Sequence, residues 1–251
     1  MTTLAIVGAG TGLGAAVARR FGAEGFDVAV ISRRQDRVDA LASDLAAAGF
    51  TARGYAAIVR DPEALTGALE QAANDLGPIE VLQYSPVPQA EFMHAVLDTT
   101  VADLTGAVEF SIYGPLTAVR HVLPGMRTLG RGTVLFVNGG SGARPNPKVA
   151  GTSIAFAGEG AYAAMLHTAV AEENIHVGQL IIPGGITPGP PNPPRRPRRP
   201  AVGDAHQQRH LPGLRRADEP VDEGKHPDAD RQCLRGHLPD RAPGADHHHA
   251  A

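Results

Sequence analysis

The chain has 251 residues, 43% of them hydrophobic and 20% charged, with a formal net charge of −3, which suits one soluble α/β domain with a sizeable core. That balance points to neither nucleic acid nor an acidic membrane surface as partner, and no apolar run reaches the ~20 residues a membrane helix needs. "MTTLAIVGAG" does not read as a secretory leader, and Cys233 is the one cysteine, so no intrachain disulfide can form and a reducing, cytoplasmic setting is expected.

Thr3–Val7 is a short apolar run ending in glycines, a buried strand feeding a tight turn. Ala15–Ala23 then carries Ala, Val and Phe at helical spacing. "FDVAVIS" follows as a strand, "RVDALASDLAAAG" as a helix closed by Gly49, and "TARGYAA" as a strand. "DPEALTGALEQAANDLG" is a helix with Asp61 as N-cap, Pro62 in its first turn and Gly77 at its C-terminal cap. "IEVLQYS" is the fourth strand, and residues 99–123 form a long helix ending near "LPGM". "GTVLFVN" is the fifth strand, 151–172 a helix and "IHVGQLIIP" the sixth strand. Strand alternating with helix predicts an α/β, doubly wound parallel sheet of the Rossmann-like kind over residues 1–187, with about six strands and helices on both faces. Ligands of such a sheet bind at the strands' carboxyl ends.

The first turn, "VGAGTGLGAAVARRF", holds Gly8-x-x-x-Gly12-x-Gly14. Glycine serves where the chain turns sharply, where backbone approaches a pyrophosphate, and where helix packs on strand. The helix N-terminus adds free N–H groups and a positive dipole end. Gly8, Thr11, Gly12, Leu13 and Gly14 are therefore the candidate phosphate contacts, although tight turns use glycine without a ligand too. After the second strand, where an NAD site places a carboxylate on the ribose, stand Arg33 and Arg34. Guanidinium forks suit a 2′-phosphate, which favours NADP over NAD. Two solvated arginines opening a helix is the plainer alternative.

The glycine pattern, the strand–helix order and "PGGIT" after the sixth strand together resemble the short-chain dehydrogenase/reductase family over residues 3–187. The resemblance implies an oxidoreductase acting on a small carbonyl or alcohol substrate. It also implies nicotinamide contacts from Pro183, Ile186 and Thr187, an adenine contact from Ile58, and Ser85 beside the cofactor in "YSPV", where the family usually reads "NNAG". Its chemistry resembles a relay in which a tyrosine exchanges a proton with the substrate oxygen and a lysine four residues later lowers its pKa. A serine and an asparagine complete the set, because free tyrosine titrates near ~10 and needs a cation to work at neutrality.

No Tyr-x-x-x-Lys exists in this sequence. Tyr55, Tyr84, Tyr113 and Tyr162 are followed four places later by Val59, Pro88, Thr117 and Leu166. Counting back from "NIHVGQLIIP" sets Thr152 at the tyrosine position and Phe156 at the lysine position, with Ser111 at the asparagine position and Ser141 near the serine position. Ser141 and Tyr84, at the ends of adjacent strands, are the remaining candidates to hydrogen-bond a substrate oxygen; a turn residue is the plainer reading of Ser141. His167 reads as structural. The rival to a weak oxidoreductase is a catalytically inactive dinucleotide-binding protein, a sensor or degenerate paralogue. A truncated product that folds poorly is a third reading.

From Pro188 to Ala251 the composition breaks: Pro, Arg, Asp and His dominate, and Ile, Phe, Tyr, Trp, Met, Ser and Thr are absent. Such a stretch cannot bury enough apolar surface to order itself, and it reads as a disordered tail. Its arginine run at 195–200 lacks interleaved aromatics for base stacking, and His247–His249 lack the spacing of a folded metal site, so no metal is assigned. The abrupt turn to residues of GC-rich codons is what a frame-shifted reading would give. Translating the other two frames beyond Thr187 tests that: an apolar helix and strand should appear in one of them. An unpaired edge beyond the sixth strand admits a homo-oligomer.

Overall fold

The first strand is an unbroken apolar run because both of its faces are covered: β1 (Thr3–Val7) buries all 5 of its residues. In the computed structural model, residues 1–184 are described; Ile186, Thr187 and the tail from Pro188 lie outside them. The elements follow as α1 (Leu13–Gly22), β2 (Asp27–Ser32), α2 (Gln35–Ala47), β3 (Ala52–Ala56), α3 (Pro62–Leu76) and β4 (Ile79–Tyr84). Then come α4 (Val101–Val108), α5 (Gly114–Leu129), β5 (Gly132–Gly139), α6 (Ala150–Ala169) and β6 (Ile175–Ile182). The six strands pair in parallel in the order β3-β2-β1-β4-β5-β6. The chain thus reverses direction across the sheet between β1 and β4, the switch point where a doubly wound fold opens a crevice.

Two cores lie on the two faces. Leu4, Ile6, Val28 and Val30 meet Val38, Leu41 and Leu45 under α1 and α2. On the other face Ala5, Val7, Leu82 and Phe136 meet Leu65, Leu69, Val119 and Ala155 under α3, α5 and α6. The expectation of helices over both faces holds for β1 and β2. Along β5 and β6 it does not: buried residues alternate with half-buried ones in β5, and Leu180 in β6 is 55% exposed. Among the described residues no helix covers that outer side.

The long helix expected at 99–123 is two helices joined by a π turn, Glu109–Tyr113. The Gly114 N–H donates to the Glu109 carbonyl, so the Phe110 carbonyl would next look to residue 115, which is proline and has no N–H. The wider turn results. Nor does the helix stop at "LPGM". It runs through Pro124 to Leu129 because Val122 and Met126 share one buried face, and it ends at Gly130 in the left-handed conformation (φ 66°). Asp61 caps α3 as expected, accepting from the Ala64 N–H at 3.0 Å.

Candidate functional site

The turn from β1 into α1 divides its glycines by task. Gly8 has φ +87°, and a Cβ there would collide with the backbone of Pro86 in the loop leaving β4. Its role is to let two strand-end loops close on each other. A Cβ on Gly14 would lie 3.0 Å from the Ala9 Cα, so Gly14 seats the helix on its own turn. Gly10 and Gly12 face open space instead. α1 has no side-chain cap and no acidic residue in its first turn. Ala15 and Ala16 donate to the Gly10 and Gly12 carbonyls at 2.9 and 3.1 Å, while among the described residues the N–H groups of Gly12, Leu13 and Gly14 find no acceptor. An open cradle, unsatisfied donors and a positive helix end suit a pyrophosphate.

The next turn of the crevice carries Arg33 and Arg34, both exposed. Arg34 is held by a neighbour: its Nε and Nη2 donate to the Asp36 carboxylate at 3.0 and 2.5 Å, a pair that raises the arginine's pKa and lowers that of the acid. With the Gln89 amide oriented to satisfy both of its atoms, Arg33 Nη1 donates to Gln89 at 3.1 Å and Gln89 donates to Glu91 at 2.8 Å. Ile58, 50% exposed just beyond β3, offers an apolar surface of the sort an adenine ring can lie on. Ser85 does not offer its hydroxyl. It accepts from Gln83 Nε2 at 2.8 Å and its N–H donates to the Val7 carbonyl at 2.9 Å, which makes it a brace between β4 and β1.

The carboxyl end of β5 brings Ser141 and Thr152 together: the Ser141 hydroxyl donates to Thr152 Oγ1 at 3.4 Å, and Thr152 donates in turn to the Val149 carbonyl at 3.2 Å. This contact joins the turn Gly140–Gly142 to the first turn of α6. One turn further along, Phe156 is 5% exposed and lies under that turn. A Cβ on Gly142 would stand 2.9 Å from the Phe156 Cβ, and one on Gly139 would stand 3.7 Å from its ring. Pro183 closes the same corner, 3.5 Å from the place of a Cβ on Gly140. Ser111 is buried in the π turn.

Tyr84 corrects the expectation set on it. It is 1% exposed, and its hydroxyl donates to the Phe110 carbonyl at 2.5 Å, the group that Pro115 leaves without a helical partner. Burial, with Glu159 adding to it, pushes the phenol well above its usual pKa. Tyr84 is therefore a structural donor inside the core and presents nothing to a substrate.

Glu159 was the residue sequence reasoning passed over. It is 1% exposed, seven places after Thr152 and three after Phe156, so all three share the inner face of α6. Burial raises its carboxyl to about 8, against a smaller opposing effect from the Asn138 amide. Among the described residues Glu159 Oε1 and Asn138 Nδ2 lack hydrogen-bond partners. The signal was available: Glu159 is the one acid in a 20-residue helix.

The loop from β4 to α4 crosses this edge as a strap. The Ala150 N–H donates to the His94 carbonyl at 2.9 Å, and the Val96 N–H to the Pro147 carbonyl at 2.8 Å. Arg60 clasps the strap from below, pairing with Glu91 at 2.9 Å and Glu109 at 2.8 Å and lying 5.6 Å over the Phe92 ring. Among the described residues no group of three or more His, Cys, Asp or Glu could hold a metal ion, and no helix is long and apolar enough to cross a membrane.

A doubly wound sheet with an open glycine cradle at its switch point defines a dinucleotide-binding α/β protein. The chain belongs to the short-chain dehydrogenases: the family model of that description matches residues 2–193. Among curated proteins it is similar to a short chain dehydrogenase of Pseudocercospora fijiensis, 26% identical over 215 residues, covering 85% of this chain and 67% of that one. It is also similar to subunit BbsC of the (2S)-[(R)-hydroxy(phenyl)methyl]succinyl-CoA dehydrogenase of Thauera aromatica, 31% identical over 133 residues, 53% of this chain and 52% of that one. The match to glycine betaine reductase ATRR of Emericella nidulans, 29% identical over 57% of this chain, spans only 11% of that protein. The chain thus spans about half, or much less, of these last two relatives. Among solved structures, a short-chain dehydrogenase from Rhodopseudomonas palustris superposes with a TM-score of 0.67 at 26% identity, covering 72% of this chain and 84% of that one. L-sorbose reductase from Gluconobacter frateurii, complexed with NADPH and L-sorbose, shares the fold with a TM-score of 0.67 at 21% identity, covering 71% and 67% of the two chains.

Proposed function

We propose that the protein is an NADP(H)-dependent oxidoreductase acting slowly on a carbonyl/alcohol pair. The observation that carries this reading is the open turn at Gly10 and Gly12, with the unpaired N–H groups of Gly12, Leu13 and Gly14, standing at the same sheet edge as the Ser141–Thr152 pair. Arg33 supports the 2′-phosphate, since its present partner is a neutral amide. Bound NADPH would supply a hydride to the carbonyl carbon. The protein's own part is to hold pyrophosphate on the α1 N-terminus, to seat the substrate oxygen against the half-buried Ser141 hydroxyl, whose bond to Thr152 is long at 3.4 Å, and to keep water out with Phe156 and the strap. Among the described residues the Ser141 hydroxyl has no cation paired with it to lower its pKa, so the proton on the product oxygen comes from solvent, and turnover is slow.

The test is NADPH fluorescence titration followed by carbonyl reduction assays on the full chain. Thr152→Tyr with Phe156→Lys should raise the rate by about 10²-fold or more, and by more than the two single changes combined, because each residue works through the other. Tight NADPH binding with no turnover in either protein would leave the inactive dinucleotide-binding protein in its place. A homo-oligomer fits the outer faces of α5 and α6, where Leu116, Ile154 and Met165 are exposed, with Tyr113 of the π turn exposed just before α5.

A further inference from the structure

The two loops that leave β4 and β5 at the carboxyl edge of the sheet differ in chemistry. The strap is apolar where it meets solvent: Val87 is 79% exposed, Met93 42%, Val96 54% and Leu97 95%, all within one loop. Scattered surface apolar side chains are ordinary, but a run of them along a single loop marks a surface that binds. These residues are not loose ends of the core, since Phe92, in their midst, takes the buried position at 1% exposure. The strap begins where Pro86 meets Gly8 and is tied by His94 and Val96 to residues 147–150. It therefore runs from the glycine cradle to the start of the helix that carries Thr152.

The loop that the strap is bonded to, from Ser141 to α6, is cationic. Arg144 and Lys148 are exposed there, and among the described residues neither has an acidic partner within ion-pair distance. Of the strap's own charged groups, Glu91 is engaged by Arg60 and His94 lies 3.8 Å from Asp103, while Asp98, beside Leu97, is exposed and in no ion pair among the described residues. The rim thus sets an apolar loop beside a neighbouring loop that carries two unneutralised cations, the two joined at residues 147–150, where α6 begins.

We propose that the site takes an amphipathic anion: a ketone or aldehyde with an extended apolar body lying along Val87–Leu97 and a carboxylate or phosphate answering Arg144 and Lys148. A polyol would leave the strap's apolar side chains bare and the two cations unused. This rests on the oxidoreductase reading for the position of the carbonyl, and its test is by binding, so the two can fail separately.

The full chain is titrated calorimetrically with 4-oxodecanoate, methyl 4-oxodecanoate and dihydroxyacetone, with and without NADPH. The acid should bind about tenfold more tightly than its ester, and dihydroxyacetone should bind most weakly. Raising salt from about 50 to about 500 mM should erode the acid's advantage and leave the ester unmoved. Arg144→Ala with Lys148→Ala should bring the acid down to the ester's affinity, whereas Val96→Ser with Leu97→Ser should weaken both. Equal affinities for acid and ester in the unmodified protein, or tightest binding of dihydroxyacetone, overturns the proposal whatever the NADPH result. Failure of NADPH to bind overturns the oxidoreductase reading alone.

Discussion

Glu159→Gln should change how stability depends on pH more than it changes the fold. The folded-state carboxyl titrates at about 8 because burial penalises its charge, whereas an unfolded chain releases that proton near ~4.3. Between those values the native state holds a proton that the unfolded state has lost. Stability is therefore fully present below the lower value and falls as pH rises to and through about 8. A displacement of that size corresponds to a loss on the order of 5 kcal/mol across the window, a large part of the ~5–15 kcal/mol of a typical domain. Glutamine keeps the shape and neutral polarity of the protonated acid and cannot ionise, so the variant should lose this slope. Urea unfolding at half-unit steps from pH 5 to pH 9 measures it. The unmodified protein should weaken steeply toward pH 9, and Glu159→Gln should be the more stable of the two at the alkaline end. Parallel stability curves for the two proteins would show that Glu159 is already ionised at neutrality and that water or a rearranged Asn138 satisfies it.

Arg33→Ala should weaken NADPH binding by about tenfold or more and leave NADH almost untouched; Arg34→Ala should do less, because Asp36 already holds that guanidinium. Fluorescence titration of both cofactors separates the two residues, and equal losses would show that Arg34 leaves Asp36 for the phosphate. Tyr84→Phe should cost about 1–3 kcal/mol of stability by stranding the Phe110 carbonyl, with unchanged NADPH affinity; a fall in cofactor or substrate binding would return Tyr84 to the site. Met165→Glu, which places a charge on the outer face of α6, should shift sedimentation toward the monomer if that face joins copies, and an unaltered profile places any contact elsewhere.

The fold was legible because its signals are local and repeated. Apolar runs alternated with helical periods, and each glycine turn or cap marked a boundary, so the strands fell where the sequence pattern placed them. The misreadings came from partners distant in the chain. Pro115 announces a broken ladder, but only Tyr84, on another strand, shows how the freed carbonyl is satisfied. The engagement of Ser85 with Gln83 and Val7 likewise could not be read locally, because it is set by the β1–β4 register. Arg33 and Arg34 are adjacent and alike in sequence, and only the fold separates one bound to an acid from one bound to an amide. The count back from the sixth strand sets Thr152 and Phe156 at the positions of the missing pair, and in the fold Thr152 lies 3.4 Å from the Ser141 hydroxyl.

That alignment gives the inner face of α6 its meaning. Where the family resemblance sets a phenol and a cation one turn apart, this helix carries a hydroxyl, an aromatic ring and then a buried acid. The phenol needs the cation to ionise near neutrality, so losing one removes the purpose of the other. The ring at Phe156 fills the ground under the Gly139–Gly142 turn with apolar surface, and no positive side chain on this face could stabilise an anionic Glu159. Burial pushes its carboxyl up to about 8 with no charge on this face to oppose it. A lysine restored at 156 would thus face two acids in turn: the tyrosine restored at 152, and Glu159 three residues on along the same face. If Glu159 ionises toward that lysine, it competes for the cation, and the rescued activity should rise further when Glu159→Gln is added to the double variant. A triple variant no faster than the double would place Glu159 beyond the reach of the lysine.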